Sequence, residues 1–337
     1  MIAIELQPKP EFDALTRVER PSPSLGLRDV RVHVRAVSLN YRDLSIARSA
    51  HRRPNAAPII AASDGAGEVV EVGREVSRFR VGDRVCAIFF PDWHDGEFVA
   101  AYHARALGGS MDGMLAEETV AHEAALVPVP AHLSFEEAAT LPCAGVTAYN
   151  ALFECAHVGP GQTILAQGTG GVSIFALQLA KAAGARVIVT SQSEAKRRRA
   201  QELGADHVID YKATPNWGEA AQAWTDRRGV DVVVEVGGPG TFDQSVAALR
   251  YAGTMSLLGV LTGTKGEVNT YGVFQKSLHV RGVYVGSRRM FEALNRALTA
   301  SQLHPIVDRV FPFDAYRDAY EHLASGAHFG KVVIRLP

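Results

Sequence analysis

Apolar and polar positions alternate along most of the first hundred residues. "MIAIELQPKPEF" (1–12) opens as a strand, and "RDVRVHVRAVSL" (28–39) keeps the period of two for a full strand length. "GAGEVVEVGREV" (65–76) does the same and turns at Gly73, and "VGDRVCAIFF" (81–90) follows a Gly-Asp turn as another strand. Short strands separated by glycine turns predict a partly open β-barrel. Residues 91–109, "PDWHDGEFVAAYHARALGG", break the pattern and read as a long surface excursion. From about residue 130 the period changes. "SFEEAATLPCAGVTAYNALFEC" (134–155) is an amphipathic helical stretch, entered through Ser134 with Glu137 at capping-box spacing.

Strand and helix then alternate. "TILAQG" precedes the helix "GVSIFALQLAKAAG", "ARVIVTS" the helix "SEAKRRRAQELG", "HVIDY" a helix over 217–226, and "VDVVVEVGG" the helix "TFDQSVAALRYAG", before "TMSLLGV" ends the series. Apolar strands alternating with helices predict a doubly wound parallel sheet covered on both faces. The chain closes through "SLHVRGVYVGS", the helix "RRMFEALNRALTA" and the strand "GKVVIRL". These divisions predict a Rossmann-type domain over 130–269, inserted in a second domain built from 1–129 and 270–337.

Composition narrows the class. A chain of 337 residues exceeds one comfortable core, and 47% apolar with 21% charged residues suits a soluble α/β enzyme. A net charge of −1 gives nucleic acid or an anionic membrane no purchase. There is no apolar run of membrane-spanning length, and three cysteines (Cys86, Cys143, Cys155) without a C-x-x-C pair predict a reduced, cytoplasmic protein.

The chemistry begins at "GTGGVS". Gly168 permits a tight turn, Gly170 and Gly171 let backbone N–H groups of 168–172 (through Thr169 and Val172) approach a pyrophosphate, and the helix N-terminus favours the anion. Ser173 stands where the third fingerprint glycine would be. The nucleotide is discriminated near the tip of the second strand, where an NAD enzyme carries a carboxylate. Here "VTSQSEAKRRR" offers Ser191, Lys196 and Arg197 instead, which predicts NADP(H) through charge-assisted contacts to a 2′-phosphate.

Taken together, "VGDRV", "LPCAGVTAYNAL", "GTGGVSIFALQLAKAAGARVI" and "HFGKVVI" resemble the medium-chain dehydrogenase/reductase superfamily over essentially the whole chain. The resemblance implies a GroES-like domain made from both chain ends, a Rossmann domain between, and a cleft joining them. In the zinc alcohol dehydrogenases of that superfamily a Cys, a His and a second Cys hold catalytic zinc. Asn40 falls at the first position, Ser63 at the His position, Asp64 at the following Glu, and Cys143 retains the second Cys. An amide, a hydroxyl and one thiol are a poor zinc set, and 91–109 lacks the four cysteines of the structural zinc lobe. "NYRD" (40–43) is similar to the N-x-x-D of the zinc-free quinone oxidoreductase branch.

By resemblance, Asn40, Tyr41, Asp43 and Ser63 line the reaction site, with Asn40 and Tyr41 as hydrogen-bond donors and Asp43 orienting a neighbour. Thr147 faces the nicotinamide. Gly259 and Val260, then Val285 and Gly286, end strands at the carboxyl edge of the sheet, so their backbones are expected to hold the carboxamide, and Phe329 and Lys331 are expected to close over the cofactor. The expected reaction is hydride transfer from NADPH to an activated double bond in a quinone or enone. Two alternatives stay open: reduction of carbonyls or oxidation of alcohols, and an NADPH-binding sensor with little turnover. A homodimer is expected through "SLHVRGVYVG" as an edge strand.

Overall fold

The computed structural model describes residues 1–50 and 57–337. The chain divides into Met1–Val146 with Val285–Pro337, and Thr147–Tyr284. The divisions lie some 15 residues later than the pattern change at 130 and 270 predicts. The reason is packing: Leu141–Gly145 contacts the strand Asp64–Val72 of the first unit, and strand His279–Gly282 hydrogen-bonds into the sheet of the second.

In chain order the strands of the first unit are β1 (Ile2–Leu6), β2 (Leu15–Glu19), β3 (Asp29–Leu39), β4 (Ile59–Ile60), β5 (Asp64–Val72), β6 (Arg84–Ala87), β7 (Glu118–His122) and β8 (Leu126–Pro128). The second unit holds β9 (Thr163–Gln167), β10 (Arg186–Thr190), β11 (His207–Ile209), β12 (Val230–Glu235), β13 (Leu249–Leu257) and β14 (His279–Gly282). The first unit resumes with β15 (Val307–Pro312) and β16 (Lys331–Arg335).

In the first unit a sheet runs β15-β16-β3-β5-β6-β8, with β7 also on β3, beside a small sheet β2-β1-β4. This is the partly open barrel expected from the alternation. Along β3 every second residue from Val30 to Val34 is buried, and then all four from Ala36 to Leu39 are. That covered end lies under the helix Tyr316–Ala324 and the turn Phe135–Ala138. The helix Tyr316–Ala324 and β15 are additions to the sequence reading. Tyr316, Ala319, Tyr320 and Leu323 form its buried face at helical spacing. Glu123 fastens three loops: it accepts from the Arg28 guanidinium and from the backbone N–H groups of Ser77 and Arg78 at 2.9 and 2.8 Å. Burial pushes its carboxyl up, but these donors outweigh it and hold the group at about 2.

The excursion 91–109 is held by an aromatic cluster. Trp93 is buried, touches Phe90 and Phe98, and stacks on Tyr102 with centroids 6.2 Å apart. Edge-to-face contacts of this kind add to burial. Asp92 pairs with Arg105 and Asp95 with Arg289.

The second unit is a parallel sheet in the order β11-β10-β9-β12-β13-β14, the doubly wound Rossmann arrangement. β9 and β12 are buried at every position, as strands covered on both faces must be. Buried carboxylates fasten both ends of this pair: Asp231 accepts from Thr163 N–H, Arg228 and Arg250, while Glu235 accepts from Gln167, Thr241 and Ser245. β14 is exposed throughout and leaves one sheet edge open.

The expected helix over 134–155 is broken. The capping box Ser134/Glu137 is present, but Leu141–Gly145 and Asn150–Cys155 are wide π turns around Val146–Tyr149. Pro142 has no N–H for the α-helical ladder, so the helix cannot run regularly through it. The helix expected over 241–253 ends at Ala248, where Leu249 pairs with Val230 and begins β13. No described helix is long and apolar enough to cross a membrane.

Candidate active site

Strand register assembles the site in the first unit. β16 runs antiparallel to β3 with Val332 opposite Leu39, and β3 antiparallel to β5 with Ser38 opposite Asp64. By the same register Lys331, which opens β16, lies opposite Asn40 just past the end of β3, and Ser63, just before β5, lies opposite Leu39 beside it. Asn40 caps the helix Tyr41–Ser49 in a reciprocal capping box, and its backbone N–H donates to Asp43 Oδ2 at 2.8 Å. Ser63 follows Ala62, a non-glycine residue at φ 61. This left-handed turn is clasped by the segment from Gly113, where a Cβ would lie 2.0 Å from the Ala62 carbonyl and Met114 N–H bonds that carbonyl at 2.8 Å.

The side chains form one chain of hydrogen bonds. Lys331 Nζ donates to the Leu39 carbonyl at 2.6 Å and to Asn40 Oδ1. Asn40 Nδ2 donates to Ser63 Oγ at 3.3 Å, and Ser63 Oγ donates to Asp64 Oδ1 at 2.7 Å. Asp64 Oδ2 accepts from the Cys143 backbone N–H at 2.9 Å. Asn40, Asp43, Ser63, Asp64 and Lys331 are all buried. Arg42 braces the cluster from outside: its guanidinium reaches the Leu107 carbonyl at 2.8 Å, lies over the Phe89 ring and pairs with Asp43 at 3.4 Å.

Burial dominates the electrostatics. It pushes the Asp43 carboxyl up to about 6, with Arg42 opposing and Asp64 adding to the rise. Burial raises Asp64 against the pull of Lys331 and the hydrogen bonds from Ser63, Asn40 and Cys143. It lowers Lys331 against the attraction of Asp64. Burial, then the Asp64 charge, lifts the Cys143 thiol far above its ordinary range, so it stays protonated at neutral pH.

This donor set does not fit a catalytic zinc. Zinc takes thiolate, imidazole or carboxylate in tetrahedral reach. Here the corresponding positions offer an amide, a hydroxyl and one thiol, and the Lys331 side chain is bound to the amide. Among the described residues no three His, Cys, Asp or Glu gather as a metal site. His94, in the excursion, bonds the Pro91 carbonyl.

The second unit fits a dinucleotide. Gly168 has φ 71, and a Cβ on Gly168 or Gly170 would meet nothing within 4 Å, so both face an open cradle at the start of the helix Gly171–Ala182. Gly168 N–H bonds to Thr190 at the tip of β10, and Ser173 Oγ donates to the Gln167 carbonyl beneath the turn. Ser173 thus adds a tie that a third glycine would lack. Thr169 is buried, while Val172 is half-buried. Buried Ser191 accepts from Ser193 N–H. Gly259 is needed by close approach, since a Cβ would lie 2.1 Å from the Val236 carbonyl, and Val260 beside it is exposed. Thr147 is buried at the start of this unit.

Three expected placements differ, those of Arg197, Lys331 and Tyr41. Arg197 is held by Asp210 at 2.8 Å and by the Ser191 carbonyl, so its charge is already countered. Lys331 is buried against Asn40 rather than exposed for a cofactor. Tyr41 is half exposed, because the first residue of a capped helix turns off the buried row. Val285, Gly286 and Phe329 lie in the first unit, as the assignment of 270–337 to that domain expects; Phe329 N–H bonds Asp308, and β-branched Val285 is held at φ 57, a strained conformation. The sequence reading aligned Asp64 with the Glu that follows the replaced His but gave it no role, and it gave none to Arg42 or to a link from Lys331 to Asn40. Asp64 carried a signal, as a carboxylate directly after the replaced ligand position.

Residues 26–131 match the alcohol dehydrogenase GroES-like domain, and residues 171–300 the zinc-binding dehydrogenase family. A zinc-type alcohol dehydrogenase-like protein of Schizosaccharomyces pombe is 43% identical over 332 residues, spanning 96% of each chain. An NAD-dependent alcohol dehydrogenase structure is 31% identical with a TM-score of 0.90, and each chain is covered completely. A 2-octenoyl-CoA carboxylase reductase, solved with NADP and 2-octenoyl-CoA, is 25% identical with a TM-score of 0.86, covering 99% of this chain and 87% of that one. The architecture, the glycine cradle and these likenesses make the chain a member of the medium-chain dehydrogenase/reductase superfamily of oxidoreductases.

Proposed function

We propose that the chain is a zinc-independent, NADP(H)-dependent oxidoreductase that delivers hydride to an activated double bond, in an enone or a quinone. The observation that carries this reading is the buried row Lys331–Asn40–Ser63–Asp64 at the position where zinc-dependent relatives hold their metal. Without a Lewis acid, charge developing on the substrate oxygen must be met by hydrogen-bond donors. Conjugate addition spreads that charge over an enolate, which an amide donor can stabilise. A simple carbonyl concentrates it on an alkoxide and needs more. When bound, the reduced nicotinamide supplies the hydride, which enters the β-carbon while solvent protonates the α-carbon. Asn40 Nδ2 is the donor for the oxygen. Its contact with Ser63, 3.3 Å long, is weak enough for a substrate oxygen to displace.

The choice of NADP(H) rests on the tip of β10, where Thr190 and Ser191 stand in place of a carboxylate and Lys196 follows. The bound NADP of the reductase relative agrees with it. Alcohol or carbonyl chemistry is the second reading, favoured by the names of the 43% and 31% identical relatives. We also propose a homodimer through the open edge of β14, where Val280 is exposed.

Product analysis separates the two reactions. Incubation with NADPH, a chelator and an α,β-unsaturated aldehyde is expected to give the saturated aldehyde. An allylic alcohol would instead establish carbonyl reduction, and loss of turnover with chelator would overturn the metal-free reading.

A further inference from the structure

We infer that Lys331 is a positioning residue that fixes which way the Asn40 amide points. The inference rests on the proposed role of Asn40 as donor to the substrate oxygen.

An asparagine amide is nearly symmetric in shape but opposite in chemistry at its two ends, so its orientation is set by its neighbours. Here the neighbours leave one answer. A lysine amine bonded to two oxygens must donate to both, and Lys331 Nζ faces the Leu39 carbonyl and Asn40. The Asn40 atom on that side is therefore Oδ1. At the far end, Asp64 accepts at both oxygens, from Ser63 at Oδ1 and from Cys143 N–H at Oδ2. The Ser63 proton is thus committed to Asp64, and Ser63 Oγ can only accept from Asn40. The amide is clamped from both sides, its N–H end turned away from Lys331. Strand pairing holds the clamp in place: Lys331 opens β16, Asn40 directly follows β3, Ser63 directly precedes β5, and all three are buried. A reversed amide would set an acceptor against the developing negative charge, so the flip decides whether Asn40 helps or hinders.

The test is Lys331→Met, read in three ways. Turnover of an enone is expected to fall about 100-fold in kcat, the size associated with losing one oriented donor, with KM changing less than about threefold. NADPH affinity, measured by protein fluorescence quenching, is expected to stay within about twofold. The side-chain NH2 pair of Asn40, identified in 15N spectra by its loss in Asn40→Ala, is expected to shift or broaden as the amide samples both orientations. Unchanged Asn40 signals with unchanged kcat would overturn the inference. A large loss of NADPH affinity with Asn40 signals intact would also overturn it, returning Lys331 to cofactor binding. Should Lys331→Met leave Asp64 uncompensated and fail to fold, Lys331→Met/Asp64→Asn removes both charges and carries the same three readouts. If the wild-type chain reduces no electrophile, the proposed function fails, while the Asn40 signals still decide the role of Lys331.

Discussion

Asp43→Asn tests whether burial governs the electrostatics of the candidate site. The Asp43 carboxyl is buried, accepts the Asn40 N–H at 2.8 Å and is paired with Arg42 only at 3.4 Å. Desolvation raises it from 3.8 to about 6, against the opposing charge of Arg42. Between those values the folded chain holds a proton that the unfolded chain has lost. Stability therefore falls as pH rises through this window, and the full cost at neutral pH is about 3 kcal/mol. Asparagine fits the same volume, can accept the same N–H with its amide oxygen and carries no charge. Urea unfolding of both proteins at pH 4.5 and pH 7.5 gives the difference between them at each pH. That difference is expected to move in favour of Asp43→Asn by about 2 kcal/mol between the two conditions. Taking the difference cancels the groups that titrate alike in both proteins. A flat difference, or one that moves in favour of Asp43, would refute the reasoning and make the capping box a stabilised carboxylate.

Glu123→Gln reverses the sign. Its carboxyl lies at about 2 in the folded chain, against an ordinary value of 4.5, so its contribution is present above 4.5 and is lost as pH falls towards 2. The variant is expected to lose about 2 kcal/mol at pH 7 and progressively less below pH 4.5, as followed by urea melts; an equal loss at every pH would make the effect one of packing. For the dimer, light scattering is expected to give twice the chain mass for the native protein and the chain mass for Val280→Lys, since a charge on an open edge blocks strand pairing. A native monomer would end that proposal.

Local patterns carried much of this structure. The period of two in β3 and the strand–helix alternation from 163 to 257 reappear in the barrel and the parallel sheet. These signals are legible because burial of one face or of both is written in neighbouring residues. The helix Tyr316–Ala324 had the same legibility, with Tyr316, Ala319, Tyr320 and Leu323 on one face. The excursion 91–109 did not. Its apolar residues follow neither the strand nor the helix period, and Trp93, Phe98 and Tyr102 meet only because the loop folds back on itself.

By itself the sequence determined the two kinds of domain and the glycine cradle at 168–171, since each depends on residue types at short spacing. Only the tertiary structure decided what Lys331 does. It lies 291 residues from Asn40 and reaches it through the antiparallel register of β16 on β3. The countering of Arg197 by Asp210 and the shared burial of Asp43, Asp64 and Lys331 have the same origin. Charges are expensive to bury, and which ones the fold holds together is fixed by strand pairing over distances that no local pattern records.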